Sequence, residues 1–229
     1  MSQQKNFSNR LYLFLAALFI AALVASNLIF LKFFYWDITD SYTFVVSVGI
    51  LPYPITFLIT DIISEIYGRK KANLVVTAGI GASLFSILIV AVASAVPATA
   101  NSPVNDEIFD KVFGLSSVAV GASMMAYLLA QFVDIRIYHF WKKYTKGKKL
   151  WLRNNASTFF SQIVDTAVVL SLLCSFGSIE WSMFENLLIN GVLFKILVAF
   201  LDTPLLYLST YFIRKKLGLK FAEEVPEDW

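Results

Sequence analysis

The residues of this chain that could bind or move a polar or charged group are few, and most of them interrupt long apolar runs. They are Asn27, Asp61, Glu65, Gln131, Asp134, Gln162, Asp165, Asn190, Lys195 and Asp202. Asp61 and Glu65 are four residues apart, which puts both on one helix face, with Phe57 one turn earlier and Pro54 two. Gln131 and Asp134 are three apart, with Tyr127 one turn before them. Gln162 and Asp165 are also three apart, with Thr158 and Ser161 on the same side. Lys195 and Asp202 are seven apart, two turns along one stripe. A charged side chain at the centre of a bilayer costs at least about 2.5 kcal/mol, so such groups turn to a cavity or to a partner. Four helices, each with a narrow polar stripe, must therefore direct those stripes at a common interior. The chemistry such a pocket offers is recognition by hydrogen bonding and movement of protons.

Depth sorts the candidates. Asp165 and Lys195 fall near the middle of their runs, so two opposite charges at one level are expected either to pair or to share a ligand. Asp61, Glu65 and Asp134 lie nearer one end, where the interface can hydrate them and where Arg69 stands beside Glu65. Asp202 precedes Pro204 by two residues and either joins the site or satisfies backbone groups freed by the proline. The expected substrate contacts are thus Asn27, Asp61, Gln131, Asp134, Gln162, Asp165 and Lys195, with Glu65 and Asp202 as candidates for proton coupling. His139 is a lone histidine at a boundary and carries no expectation. Cys174 is the only cysteine, so neither an internal disulfide nor a cysteine zinc site can form, and no metal or cofactor is implied.

The elements that hold these residues follow from composition. Hydrophobic residues make up 58% of the 229 and charged ones 15%, with a mean hydropathy of +0.68; a soluble domain carries about 25% charged residues. Six runs are long enough to cross a hydrocarbon core of about 30 Å, a span that takes about 20 residues of helix. They cover residues 11–31, 42–63, 72–96, 115–138, 155–176 and 184–212. The expected fold is all-α, a single membrane domain formed by a six-helix bundle. The first run is read as a retained span, since it is long and opens a series of similar runs. Residues 221–229 are acidic and are expected to be a disordered tail.

Charge gives the orientation. Of the 19 Lys and Arg residues, 15 fall before the first run, in the second and fourth connections, or after the last run. The opposite connections hold only Lys32 and Lys111 and collect Asp37, Asp40, Asp106, Glu107, Asp110 and Glu180. Positive residues stay in the cytoplasm, so both termini are expected there, with the chain in the inner (plasma) membrane. The basic fourth connection is explained by topology, and no nucleic-acid partner is expected. Ala17, Ala21 and Ala25 at four-residue spacing, and Gly79 with Ser83, allow close helix approach, within the chain or against a partner. Pro52, Pro54 and Pro204 break the backbone ladder, as helices lining a cavity can.

Carboxylates, amides, a lysine and many aromatic residues suit a purine-like ring, which stacks on aromatic faces and offers N–H donors to carboxylates. The same inventory suits a vitamin or an amino acid. The motifs narrow the choice. Ser26-Asn27 closes the first run, and Pro54-Ile-Thr-Phe-Leu-Ile-Thr-Asp61 is followed by Glu65, Tyr67 and Gly68. The fourth run carries Ala122-Ser-Met-Met-Ala-Tyr-Leu-Leu-Ala-Gln131-Phe-Val-Asp134, and the fifth Ser157-Thr-Phe-Phe-Ser-Gln-Ile-Val-Asp165-Thr166. Lys195 with Pro204 downstream completes the set. This pattern resembles the queuosine precursor transporter family, also called the vitamin uptake transporter family, over nearly the whole chain. The resemblance implies import of 7-deazaguanines such as 7-cyano-7-deazaguanine for queuosine salvage, the substrate being a small 7-deazapurine.

Two other classes stand beside that reading. One is the substrate-binding membrane subunit of an ATP-driven vitamin importer, in which the alanines of the first run would dock an energising partner; a homo-oligomer is a further arrangement. The chain has no Gly-rich phosphate loop, so in that case another protein must hydrolyse ATP. The other class is an intramembrane enzyme. The chain lacks His-Glu-x-x-His, Gly-x-Ser-x-Gly and Gly-x-Gly-Asp, and no enzymatic activity is expected.

Overall fold

The structure, a computed structural model, describes residues 2–29, 32–39, 42–114, 117–146, 148–176 and 180–226. Among them, helix dominates: α1 (Ser2–Ile29), α2 (Tyr53–Ile66), α3 (Gly68–Ser94), the short α4 (Asp106–Phe109), α5 (Ser117–Tyr144), α6 (Leu150–Ser175) and α7 (Phe184–Leu217). Four of these, α1, α3, α6 and α7, are long and apolar enough to cross a membrane. Their outward faces are apolar, with Phe14, Leu84, Phe85, Leu88, Phe200, Leu201 and Phe212 all exposed. In water such a surface is untenable; in lipid it is the expected one.

The second expected run departs from a continuous helix. Residues Phe33–Thr39 (β1) and Tyr42–Ser47 (β2) pair as an antiparallel hairpin, followed by a single 3-10 turn at Val48–Ile50. Helix starts only at Tyr53, with Pro52 as its cap and Pro54 in its first turn. The physical reason is in the sequence: Tyr42-Thr-Phe-Val-Val is aromatic and β-branched, which favours extended backbone. The two prolines cannot donate to a helix ladder but fit its first turn. The fold is therefore helical with one hairpin, and α2 is about 21 Å long, short of a full crossing. The first, third, fifth and sixth runs are helical nearly throughout, and the helices extend beyond them, α6 starting at Leu150 and α7 ending at Leu217. The edges of the first and fourth runs at 30–31 and 115–116, and the tail residues 227–229, lie outside the described residues.

The core is built around α2, whose residues from Ile59 to Tyr67 are all buried. Leu15, Phe19 and Leu23 of α1 pack against Val75 and Val76 of α3 in the same cluster as Ile62, Ile63 and Ile66. Gly79 sets how closely α1 and α3 approach, because a Cβ there would meet Phe19 Cε1 at 2.8 Å and Leu23 Cδ2 at 3.0 Å. The alanines of α1 do not take part: Ala17, Ala21 and Ala25 are exposed. Helices α5 and α6 form an antiparallel pair, and α7 packs on α6 and α2.

One end of the bundle gathers the basic residues. Tyr12 donates to the Lys71 carbonyl at 3.1 Å and Tyr67 to the Ser8 carbonyl at 2.9 Å, tying the start of α1 to the α2–α3 junction. The C-terminal segment folds back on this end. Arg214 Nη1 donates to the carbonyls of Lys220 and Glu223 at 2.5 and 2.7 Å, and the Val225 N–H donates to the Ile66 carbonyl at 2.8 Å. Residues 221–226, expected as a disordered tail, are thus held by specific contacts.

Candidate functional site

The polar stripes of α2, α5, α6 and α7 line a common column. On α6, Arg153, Ser157, Ser161 and Asp165 recur every four residues and are all buried, spanning about 18 Å of helix. The antiparallel α5 supplies Tyr138, Asp134, Gln131 and Tyr127 in the opposite order, and α2 supplies Glu65, Asp61 and Thr56.

At the basic end lies a charge cluster on Glu65, which is 1% exposed. Arg153 Nη2 and Arg214 Nη2 each reach one of its carboxylate oxygens at 2.6 Å, Lys142 Nζ stands at 3.7 Å, and Tyr138 donates at 3.2 Å. Lys142 is also paired with Glu224 at 2.7 Å. Glu65 therefore joins α2 to α5, α6 and α7 at one point. Its partner is not Arg69, which is exposed, and both of its carboxylate oxygens are engaged. Sequence reasoning counted Arg153, Arg214 and Lys142 only as topology signals. A signal was present: stepping the Ser157–Ser161–Asp165 stripe back one turn lands on Arg153, and stepping Asp202 forward by fours lands on Leu206, Thr210 and Arg214.

One turn further in, Asp61 and Asp134 face each other within hydrogen-bonding reach. A contact between two carboxyl groups needs a proton between them. Ser161 donates to Asp134 Oδ1 at 3.0 Å, and Ser157 bonds to it as well. Among the described residues, no group donates a hydrogen bond to Asp61 Oδ1 or Asp134 Oδ2. Above them, Gln131 and Tyr127 hydrogen-bond to each other and Tyr127 to Thr56, while the rings of Phe57 and Phe19 lie 5.9 and 6.5 Å from that of Tyr127. At the top, Lys195 Nζ pairs with Asp165 Oδ2 at 2.5 Å and donates to Thr166 Oγ1 at 3.1 Å. Equal depth on two helices pointed to this pair, and the structure brings it together.

Not every candidate joins the column. Asn27 belongs to the hairpin end of α1, where Ser26 Oγ donates to the Gly49 carbonyl at 2.5 Å. It is about 12 Å along the helix from Phe19. Asp202, half-buried on α7, stands close enough to Asp61 to act on it electrostatically, and its neighbour Thr203 accepts a hydrogen bond from Asn155 at 3.0 Å. Outside the spanning helices, burial pushes the Tyr67 phenol up to about 12, so it stays a donor at neutral pH.

The column is rich in buried polar atoms that the protein leaves unsatisfied. Gln131 Oε1, Gln162 Oε1, Asp61 Oδ1 and Asp134 Oδ2 lack partners within it, as does Asn27 Nδ2 nearer the hairpin. Each such atom costs about 1–3 kcal/mol if nothing meets it. No group of three or more His, Cys, Asp and Glu placed to hold a metal occurs among the described residues.

Comparison with known proteins identifies the family. The family model for vitamin uptake transporters matches residues 47–209, which include Asp61, Gln131, Asp134, Gln162, Asp165 and Lys195 but neither Asn27 nor Arg214. A Bacillus subtilis (strain 168) protein named "Probable queuosine precursor transporter" is 27% identical over 163 residues, covering 70% of each chain. No solved structure matches.

Proposed function

Because the chain belongs to the vitamin uptake transporter family, we propose that it imports 7-deazaguanine precursors of queuosine across the inner membrane. In this reading both termini lie in the cytoplasm, and the hairpin with α2 completes six crossings with the five long helices. The observation that carries the substrate is the set of unpartnered buried atoms in the column. A guanine-type edge presents adjacent N–H donors, which match the free oxygens of Asp61, Asp134, Gln131 and Gln162. Its exocyclic carbonyl oxygen needs a donor, which Lys195 supplies. Phe57 and Tyr127 offer faces for the ring, a contact worth about 1–3 kcal/mol per base. The name of the Bacillus subtilis relative supports the same substrate class.

Mechanism follows from the order of groups along the column. Substrate meets Asp165, Lys195, Gln162 and Gln131 near mid-membrane and displaces part of the Asp165–Lys195 pairing. The Asp61–Asp134 pair holds a proton below it and is the coupling group, with Asp202 as the second candidate. The Glu65 cluster seals the cytoplasmic end until its ion pairs part. Chemistry on the substrate plays no part, and the protein acts as a transporter.

The test is salvage. The protein is expressed in a cell that neither makes nor imports queuosine precursors, 7-cyano-7-deazaguanine is supplied at nanomolar level, and tRNA is assayed for queuosine. Restored modification is expected; its absence with the protein in the membrane, and again with queuine in a host able to use it, refutes the substrate class. Uptake by the purified protein alone in proteoliposomes distinguishes this reading from a subunit of an ATP-driven importer.

A further inference from the structure

The basic end carries a second concave site, separate from the polar column. A cleft of about 470 Å³ opens between the start of α1, the start of α3 and the C-terminal segment, with Ser8, Tyr12, Tyr67, Arg69, Lys71 and His139 in its wall. Helix α3 begins there with no side chain capping its first turn. Its first N–H groups have no preceding helical carbonyl to bond and carry the positive end of the helix dipole. The Glu224 carboxylate already shows what that end attracts: it lies so tightly over Gly68 that a Cβ there would collide with it.

A carboxylate does not satisfy the whole site. Ser8 is 1% exposed, its Oγ has no hydrogen-bond partner, and it lines the cleft. His139 also lines the cleft, and its buried Nε2 likewise has no hydrogen-bond partner among the described residues. Arg69 and Lys71 are exposed at the rim, Lys71 with its ammonium 5.1 Å over the Tyr12 ring. Helix N–H groups, an arginine, an ammonium and a buried hydroxyl bordering one cleft match a tetrahedral anion with several acceptor oxygens better than they match a planar carboxylate.

We propose that this cleft is a binding site for a phosphate group, carried either on the headgroup of an anionic lipid or on a soluble compound. Both sources fit the surroundings. Leu13, Phe14 and Leu74 are exposed apolar residues close in sequence to the wall residues Tyr12 and Lys71 and offer a path for acyl chains. The cleft is also roomy enough for a small phosphate monoester. The occupant competes with Glu224 for the start of α3, and Glu224 is the residue that pairs with Lys142 beside the Glu65 cluster. The site does not depend on which substrate the column carries.

The test uses the full-length protein in detergent, with native mass spectrometry and thermal shift as readouts. The probes are inorganic phosphate, short-chain phosphatidylglycerol and diacylglycerol of the same chains. A phosphate-bearing probe is expected to bind and stabilise the protein where diacylglycerol does not. The Arg69→Gln/Lys71→Gln variant loses about tenfold or more in affinity, the size of effect of removing charge-assisted hydrogen bonds. Ser8→Ala, which changes no charge, loses affinity several-fold. Lys148→Gln/Lys215→Gln, which removes two exposed cations outside the cleft, leaves binding unchanged. Phosphatidylglycerol bound without inorganic phosphate assigns a lipid headgroup, and inorganic phosphate bound assigns a soluble ligand. The proposal is overturned if neither probe binds better than diacylglycerol. It is equally overturned if Ser8→Ala binds like the wild type, or if the Lys148/Lys215 variant loses as much as the Arg69/Lys71 variant.

Discussion

Replacing Glu65 by Gln tests the idea that one carboxylate holds four helices together at the basic end. The change is nearly isosteric, so it removes charge without opening a cavity. Two guanidinium groups, one of them fully buried on Arg153, stand 2.6 Å from Glu65, with Lys142 at 3.7 Å. Without Glu65 these three cations repel one another, and the carboxylate nearest Lys142 that remains, Glu224, is 43% exposed. Breaking a buried ion pair by removing one partner costs about 3–5 kcal/mol. At roughly 2–4 °C per kcal/mol for a chain of this size, the melting temperature should fall by about 6–20 °C. The assay is thermal unfolding of the purified variant in detergent. A second variant checks the mechanism: adding Arg153→Met to Glu65→Gln removes the most buried of the three cations, so the double variant should be more stable than the sum of the two single effects. A melting temperature within a degree of wild type for Glu65→Gln, or strict additivity in the double variant, would refute the reasoning.

Other expectations concern the column and its packing. Asp165→Asn and Lys195→Ala should each abolish uptake while the protein still reaches the membrane; full uptake by either, measured with labelled substrate, removes that residue from the site. Asp134→Asn breaks the sharing of a proton with Asp61, so accumulation against a gradient should fall to the equilibrium level while substrate exchange persists. Accumulation that stays sensitive to an uncoupler in this variant would assign coupling elsewhere. Gly79→Ala should destabilise by about 1–3 kcal/mol, the usual cost of overpacking, because the added Cβ meets Phe19 and Leu23. Phe19→Leu in the same chain should recover part of that loss in a thermal melt, and no recovery would place the strain elsewhere.

Composition and periodicity were enough to define the solvent and most of the helices. A chain with 58% hydrophobic residues and exposed Phe and Leu over its helix surfaces has no soluble solution. Spacing was also enough to show that Asp61, Gln131, Asp134, Gln162 and Asp165 face inward, because period and burial cost act within one helix. The hairpin at Phe33–Ser47 was less visible, since a short run of Tyr, Thr, Phe and Val is as apolar as a helix segment. Only its β-branching and the prolines after it distinguish the two.

Which inward residue meets which was decided by the tertiary structure. A stripe fixes the direction and depth of a side chain on its own helix but says nothing about the neighbour it will face. That neighbour depends on how helices pack, through contacts such as Gly79 against Phe19. For Asp165 and Lys195, opposite charge at equal depth was enough to anticipate the pair. For Glu65 it was not: Arg153 and Arg214 read as surface charges marking topology, and Arg69 stood closer in sequence. Only the assembled bundle puts those two guanidinium groups on Glu65 and leaves Asp61 facing Asp134. An ion pair forms between groups that the fold brings within a few ångströms, and sequence distance does not measure that.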